Sequence, residues 1–248
     1  MSPVASAPGP LWPRLVIFDC DGVLVDSEPI IAEAEAEALA VAGFAISPRE
    51  LLDRFTGVPA ADMFRTLAAE QARPLAAGFA DRIEGRIAEA YRSRLKPVPD
   101  AEATLRRLDI PYCVASSSGL GRLRLALLVA GLDWLLAGRI FSAEMVARGK
   151  PSPDLFLHAA DRMAAAPADC LVIEDSVAGV TAAQTAGMTV LGFTGGSHAG
   201  PGLGERLGVA GADLVFSRMA ALPQLIHHLD LHRDGSPGRG TVSAGGRA

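Results

Sequence analysis

Five short apolar runs with β-branched residues, at 15–18, 112–115, 171–173, 189–193 and 214–216, punctuate the chain, and most are separated by helix-length segments. A strand with one wet face alternates apolar and polar residues. Leu-Val-Ile-Phe and Leu-Val-Ile do not alternate, so both of their faces have to be covered. Helices on the two sides of a mainly parallel sheet meet that demand. The predicted fold is therefore α/β, with a Rossmann-like three-layer α/β/α core. Open sheets of this kind bind ligands beyond the carboxyl ends of their strands, and the chemistry is sought there.

Between the first two runs lie about 90 residues, several times an ordinary crossover, which points to an insertion. Pro29 at a first helical position starts a helix ending near Gly43, and Ser47-Pro48-Arg49-Glu50 forms a capping box with proline in its first turn. Ile83, Ile87 and Tyr91 recur every four residues, giving another helix one apolar face before Pro97 and Pro99 stop it. The expected organisation is a tail over residues 1–13, a core of residues 14–28 and 97–231, an inserted α-helical cap domain over 29–96, and a Gly-rich flexible tail over 232–248.

Composition excludes several classes of function. The 248 residues carry a net charge of −5, which is unsuited to gripping a nucleic-acid backbone. The uncharged stretch 176–204 is broken by glycines and mixed with Ser, Thr and Gln, so it is no membrane span. The first residues lack the basic start and apolar centre of a signal peptide. Cys20, Cys113 and Cys170 fall in apolar runs without metal spacing, as expected of a reducing cytoplasm. A small phosphorylated metabolite is the partner expected, bound by a monomer or small homo-oligomer, with neither nucleic acid nor membrane involved.

The first run leads directly into Asp19-Cys20-Asp21-Gly22-Val23-Leu24-Val25-Asp26-Ser27-Glu28. In extended backbone Asp19 and Asp21 face the same way and Cys20 the other. Two carboxylates buried together call for a cation, and Mg²⁺ takes oxygen ligands. An Asx turn would also explain them, whereas an EF-hand loop would need an oxygen ligand where Val23 stands. A second pair, Glu174-Asp175, ends the run at 171–173, where a helix N-cap is an equal reading. The run at 112–115 leads into Ser116-Ser117-Ser118-Gly119 at a helix start, which is an anion site or an ordinary cap. Lys is scarce, with only Lys96 and Lys150 in the chain. Lys150 lies in Gly149-Lys150-Pro151-Ser152-Pro153-Asp154, and its point charge suits a phosphate or a nucleophilic carboxylate.

Taken in order, these four segments resemble the haloacid dehalogenase superfamily, and in particular its helical-cap subgroup of sugar-phosphate phosphatases and β-phosphoglucomutases. The resemblance implies that Asp19 is a nucleophile and Asp21 a general acid and base whose main-chain carbonyl also binds Mg²⁺. It implies Asp175 as the third protein ligand, Glu174 as the group orienting metal-bound water, Ser116 as the phosphoryl ligand and Lys150 as the neutralising cation. Backbone N–H groups near Cys20, Asp21 and Ser117 complete the phosphate site. The segment Arg54-Phe55-Thr56-Gly57-Val58-Pro59 is similar to the cap loop that faces the active site in these enzymes, so Gly57 and Val58 are expected near the substrate. Arg54, Arg65, Arg82 and Arg86 read as solvated helix residues that could also reach substrate.

The expected activity is Mg²⁺-dependent hydrolysis of a sugar or polyol phosphate through an aspartyl-phosphate. Asp21 argues against dehalogenation, and the absence of lysine between Pro29 and Leu95 argues against phosphonatase chemistry. A β-phosphoglucomutase-like mutase is the nearer rival. By resemblance it would carry a histidine and an arginine where this chain has Ile31 and Ala60. A non-catalytic phospho-ligand binding protein is the alternative of another class, and its mark would be loss of Asp19 or Asp21. The glycine-rich stretch 195–204 reads as a surface loop.

Overall fold

Strand β1 (Leu15–Phe18) lies in the middle of a six-stranded sheet, paired in parallel with β2 (Tyr112–Ser116) on one side and β4 (Cys170–Glu174) on the other. The structure, a computed structural model, describes residues 12–58 and 60–233. Beyond β2 comes β3 (Ile140–Ser142), and beyond β4 come β5 (Thr189–Phe193) and β6 (Leu214–Phe216), every pair parallel. Strand β3 was not anticipated. Two of the expected strands are also longer, β2 by Ser116, which pairs with Ser142, and β4 by Cys170 and by Glu174, which pairs with Gly192 inside the ladder.

Four helices, α1 (Glu28–Val41), α2 (Pro48–Phe55), α3 (Ala60–Glu70) and α4 (Phe79–Arg94), occupy most of the stretch expected to form a cap. Then follow α5 (Ala101–Arg107), α6 (Leu120–Val129), α7 (Asp133–Leu136), α8 (Asp154–Arg162), α9 (Val177–Thr185), α10 (Leu203–Val209) and α11 (Leu222–Arg233). Local chemistry accounts for the starts of several. Ser47 accepts the Glu50 N–H at 3.1 Å to cap α2, and Ser176 accepts the Gly179 N–H at 3.0 Å to cap α9.

Side chains alternate across the sheet and divide the core in two. Val16, Phe18, Val114, Leu171 and Ile173 pack against α5, α6 and α11 through Leu105, Leu123, Leu127, Leu222 and Ile226. Leu15, Ile17, Cys113, Cys170 and Val172 face α8, α9 and α10 through Phe156, Ala159, Val180, Ala183 and Leu207. This is the three-layer arrangement that strands apolar on both faces require. The first of these cores continues into the insert, joining Leu39, Leu67, Ile87 and Tyr91 to the sheet.

The expected tails fall mostly on residues 1–11 and 234–248, outside the described residues. The first is shorter than expected, because Trp12 is buried, with its backbone N–H donated to Asp230 Oδ1 at 2.9 Å and its indole N–H to the Ala168 carbonyl at 3.2 Å. At the other end, α11 continues through Arg233 and takes in two residues expected in the second tail.

Candidate active site

The carboxyl ends of β1, β2 and β4 and the segment after β3 meet in one cleft. Asp19 follows β1 directly, and its N–H reaches the Ile173 carbonyl at 2.9 Å, fixing it against β4. Lys150 fills the gap between the strands. Its buried ammonium donates to Asp19 Oδ1 at 2.7 Å, Glu174 Oε1 at 2.6 Å and the Ala115 carbonyl at 3.0 Å, one partner for each N–H. Burial alone would lower the pKa of Lys150, but Asp19 and then Glu174 push it above the ordinary lysine range. The other oxygen of Glu174 accepts from the Ser176 N–H at 3.0 Å and hydroxyl at 2.9 Å.

Asp21 is surrounded by hydroxyls. Its Oδ1 accepts from Ser27 at 2.7 Å and Tyr91 at 3.4 Å, and its Oδ2 from Ser118 at 2.7 Å and Ser116 at 3.3 Å. Ser116, expected at the phosphoryl group, is fully buried and turns its hydroxyl to Asp21 and to the Ser118 N–H at 3.0 Å. Its place in the β2 ladder accounts for this. Ser117 and Ser118, beyond the strand, line the cleft instead. Cys20 is buried beneath the loop, its carbonyl accepting from Leu24 N–H at 2.9 Å and Val25 N–H at 3.1 Å.

A metal ion is a matter of fit. Asp19, Glu174 and Asp175 each offer an oxygen, and these oxygens lie within 4.8 Å of one another. Asp175 Oδ2 is buried and accepts no hydrogen bond. Burial raises the pKa of Asp19, opposed by Lys150 and reinforced by Glu174, Asp175 and Asp21; burial likewise raises that of Asp175. Crowded buried carboxylates with an unclaimed oxygen fit a hard divalent cation. The Asp21 carboxylate is not part of this cluster, being committed to its hydroxyls.

His198 was missed by sequence reasoning. The stretch expected to be a surface loop buries this side chain, with Nε2 3.0 Å from Asp175 Oδ2 but not aligned as a hydrogen bond. Burial depresses the pKa of His198, yet Asp175 lifts it above the usual imidazole range. The loop is pinned to the first motif by the Ser197 N–H and hydroxyl, both 2.9 Å from Asp26 Oδ1. Gly22 makes room for this approach. It has φ +75°, and a Cβ there would lie 1.9 Å from Asp175 Oδ2. Nothing in a Gly-Gly-Ser-His string marks such a contact in advance.

The helical side of the cleft comes from α1, α2 and the turn after it, with Gly57, Val58, Ile31 and Ala60 among its lining residues. Gly57, at φ +80°, approaches the core so closely that a Cβ would sit 2.5 Å from the Ser176 Cβ. The arginines considered for substrate contact lie elsewhere. Arg54 pairs with Glu50 and Glu70, Arg65 with Asp62 and Arg86 with Glu37, and Arg82 donates to the Ala77 carbonyl. Arg122, Glu28 and Glu35 line the cleft without having been singled out.

Comparison with known proteins agrees with this arrangement. A family model described as haloacid dehalogenase-like hydrolase matches residues 13–187. The 6-phosphogluconate phosphatase of Escherichia coli is 29% identical over 85% of this chain and 93% of its own length. Hexitol phosphatase A of the same organism is 34% identical over 71% of this chain and 80% of its own. Among solved structures, a haloacid dehalogenase-like protein of unknown function from Agrobacterium tumefaciens is 40% identical, covers 87% of this chain and 98% of its own, and superposes with a TM-score of 0.78.

Proposed function

The chain belongs to the haloacid dehalogenase-like hydrolases, and on that premise we propose a Mg²⁺-dependent phosphatase that hydrolyses a small sugar or polyol phosphate through an aspartyl-phosphate on Asp19. The observation that carries this reading is the triple engagement of Lys150, which ties Asp19 and Glu174 together beside Asp175 at the strand ends.

In the first half-reaction an oxygen of Asp19 forms a bond to phosphorus as the bond from phosphorus to the leaving alkoxide breaks, and Asp21 gives its proton to that alkoxide. In the second, Asp21 takes a proton from water as the water oxygen bonds to phosphorus and the Asp19–phosphorus bond breaks. Lys150 balances charge on Asp19 and the phosphoryl oxygens, while Ser117, Ser118 and backbone N–H groups hold the latter. Asp19, Asp175, the Asp21 carbonyl and Glu174, directly or through water, are the residues that would hold Mg²⁺, which would supply charge stabilisation for the transferring group. Helices α1–α4 serve as the cap, with Gly57 and Val58 near the substrate, closing the cleft to solvent. Ile31 and Ala60, where mutase resemblance asks for histidine and arginine, favour hydrolysis. Among the described residues no helix is long and apolar enough to cross a membrane. The three buried free thiols accord with a reducing cytoplasm.

The test is steady-state phosphate release from a panel of sugar, polyol and short-acid phosphates with Mg²⁺, for the wild type and Asp19→Asn. Turnover by the wild type with at least a thousandfold loss in the variant is expected. Full activity of the variant overturns the assignment of Asp19, and an inactive wild type favours a phospho-ligand binding protein.

A further inference from the structure

One stripe of α1 faces the cleft. Glu28, Ile31, Ala32 and Glu35 follow the i, i+3, i+4, i+7 spacing of a single helical face, and all four line the cavity that contains Asp19 and Lys150. Glu35 is 7% exposed, and no described residue makes a hydrogen bond or ion pair with it. Among the described residues only Asp175 and His198 hold fully enclosed side-chain nitrogen or oxygen atoms without a hydrogen bond, so the Glu35 carboxyl opens to the cleft, where water or a substrate hydroxyl can complete it. Burial pushes its pKa up to about 7, an effect that Arg122 opposes and Glu84 reinforces.

Around this stripe the cap wall is otherwise Leu51, Leu52, Phe55, Val58 and Met63, with the Thr56 hydroxyl, and none of its described lining residues is basic. Arg122, from the core side, is the nearby cation, and two of its nitrogens are already engaged. Its Nη1 lies 3.0 Å from Glu84 and its Nε donates to the Ser118 hydroxyl at 3.2 Å, and Asp21 and Glu35 lie in its field. Burial lifts the pKa of Glu28 as well, to about 8, so above that pH a second anionic group on the substrate would meet two ionised glutamates, with the cation beside them already shared with Glu84 and Ser118. Hydroxyl groups, which both donate and accept, would satisfy either protonation state of those glutamates. Glu28 and Glu35 lie about 10 Å apart along the helix axis, enough to follow an extended chain of five or six carbons.

We propose that Glu28 and Glu35 form a hydroxyl-recognition stripe that selects a neutral polyhydroxylated phosphomonoester over one bearing a second anion, an inference that rests on the phosphatase reading above. The two curated relatives differ in this respect, one named for a carboxylated sugar phosphate and the other for hexitol phosphates. Similarity alone does not choose between them, whereas the stripe does.

A matched pair of substrates tests this, because sorbitol 6-phosphate and 6-phosphogluconate differ at the far carbon by CH₂OH against carboxylate. At a pH above 8, where both glutamates are ionised, the expected kcat/KM of the wild type is at least tenfold higher for sorbitol 6-phosphate. Glu35→Gln, which removes charge and keeps size, should bring the ratio to within about threefold, mainly by improving 6-phosphogluconate. Glu35→Ala should lose tenfold or more on sorbitol 6-phosphate relative to its loss on 4-nitrophenyl phosphate, which has no hydroxyl to recognise. Equal efficiency on the matched pair, a preference for 6-phosphogluconate, or a ratio unmoved by Glu35→Gln overturns the stripe while leaving the phosphatase intact. Failure of the wild type to hydrolyse all three compounds overturns the phosphatase reading itself.

Discussion

Asp21 sits among four hydroxyls, from Ser27, Tyr91, Ser116 and Ser118, a setting that suits the acid-base role proposed for it. A hydroxyl donates to the carboxylate and accepts from the acid, and Arg122, whose field Asp21 shares, gives its hydrogen bond to Ser118 instead. Asp21→Asn keeps the size of the side chain and removes its proton, so kcat should fall by about 10²–10⁴ with the matching limb of the pH–rate profile gone. Steady-state kinetics across pH measures both. Glu35 makes a second residue-scale prediction. Its folded pKa of about 7 lies above that of a free glutamate, so its contribution to stability is fully present at low pH and is lost as pH rises through about 7. Glutamine does not titrate. Glu35→Gln should therefore gain relative to the wild type between pH 5 and pH 8, by roughly 2–4 kcal/mol across the full window in urea denaturation. Asp19, Asp21 and Glu174-Asp175 stood out in the sequence because they follow apolar runs, and Lys150 because lysine is scarce; their gathering in one cleft is what the structure adds. Tyr91, Glu35 and His198 did not, because their meaning comes from contacts with distant segments. Tyr91 read only as the last member of an apolar stripe, although its phenol reaches Asp21.

At the scale of elements, α4 does two things. Ile83 and Ile87 bind it to the insert and Tyr91 carries its last turns to Asp21, so one helix face both packs and reaches the cleft. Ile87 is fully buried in the core cluster that includes α1 and one face of the sheet. Ile87→Ala removes that side chain and leaves a void, and the expected loss is about 2–5 kcal/mol, read from the midpoint of urea denaturation. The insert helices were legible because capping and four-residue periodicity are local signals. The Ser47 cap is present as read, although Glu50 pairs with Arg54 rather than closing a reciprocal box, and the helix through Ile83, Ile87 and Tyr91 runs over Phe79–Arg94. Strand β3 was illegible because Ile140-Phe141-Ser142 offers only two apolar residues, against three in the equally short β6, and its pairing with β2 is non-local. The extra residue at the end of β2 has a similar cause. Nothing local says that Ser116 belongs to the ladder, and that register turns its hydroxyl toward Asp21.

For the molecule as a whole, the cluster of Asp19, Glu174 and Asp175 makes the fold's working end its electrostatically strained end. A divalent cation binding only the folded state raises stability by mass action. Millimolar Mg²⁺ should raise the melting temperature by several degrees and EDTA should reverse the shift, with hydrolysis lost on chelation. A melting temperature indifferent to both would count against the site. The layered sheet was legible from strands apolar on both faces, but the core continuing from Phe18 and Val114 into Leu39, Leu67 and Ile87 was not, since it is a property of the assembled chain. That continuity bears on how such a protein can be redesigned. The insert is a wall of the same building as the sheet. Transplanting the whole insert from a relative would unseat the sheet's own packing, whereas single replacements along the cleft-facing side of α1 alter what the cleft accepts and leave the shared interior in place. New specificities in this scaffold are best sought one side chain at a time.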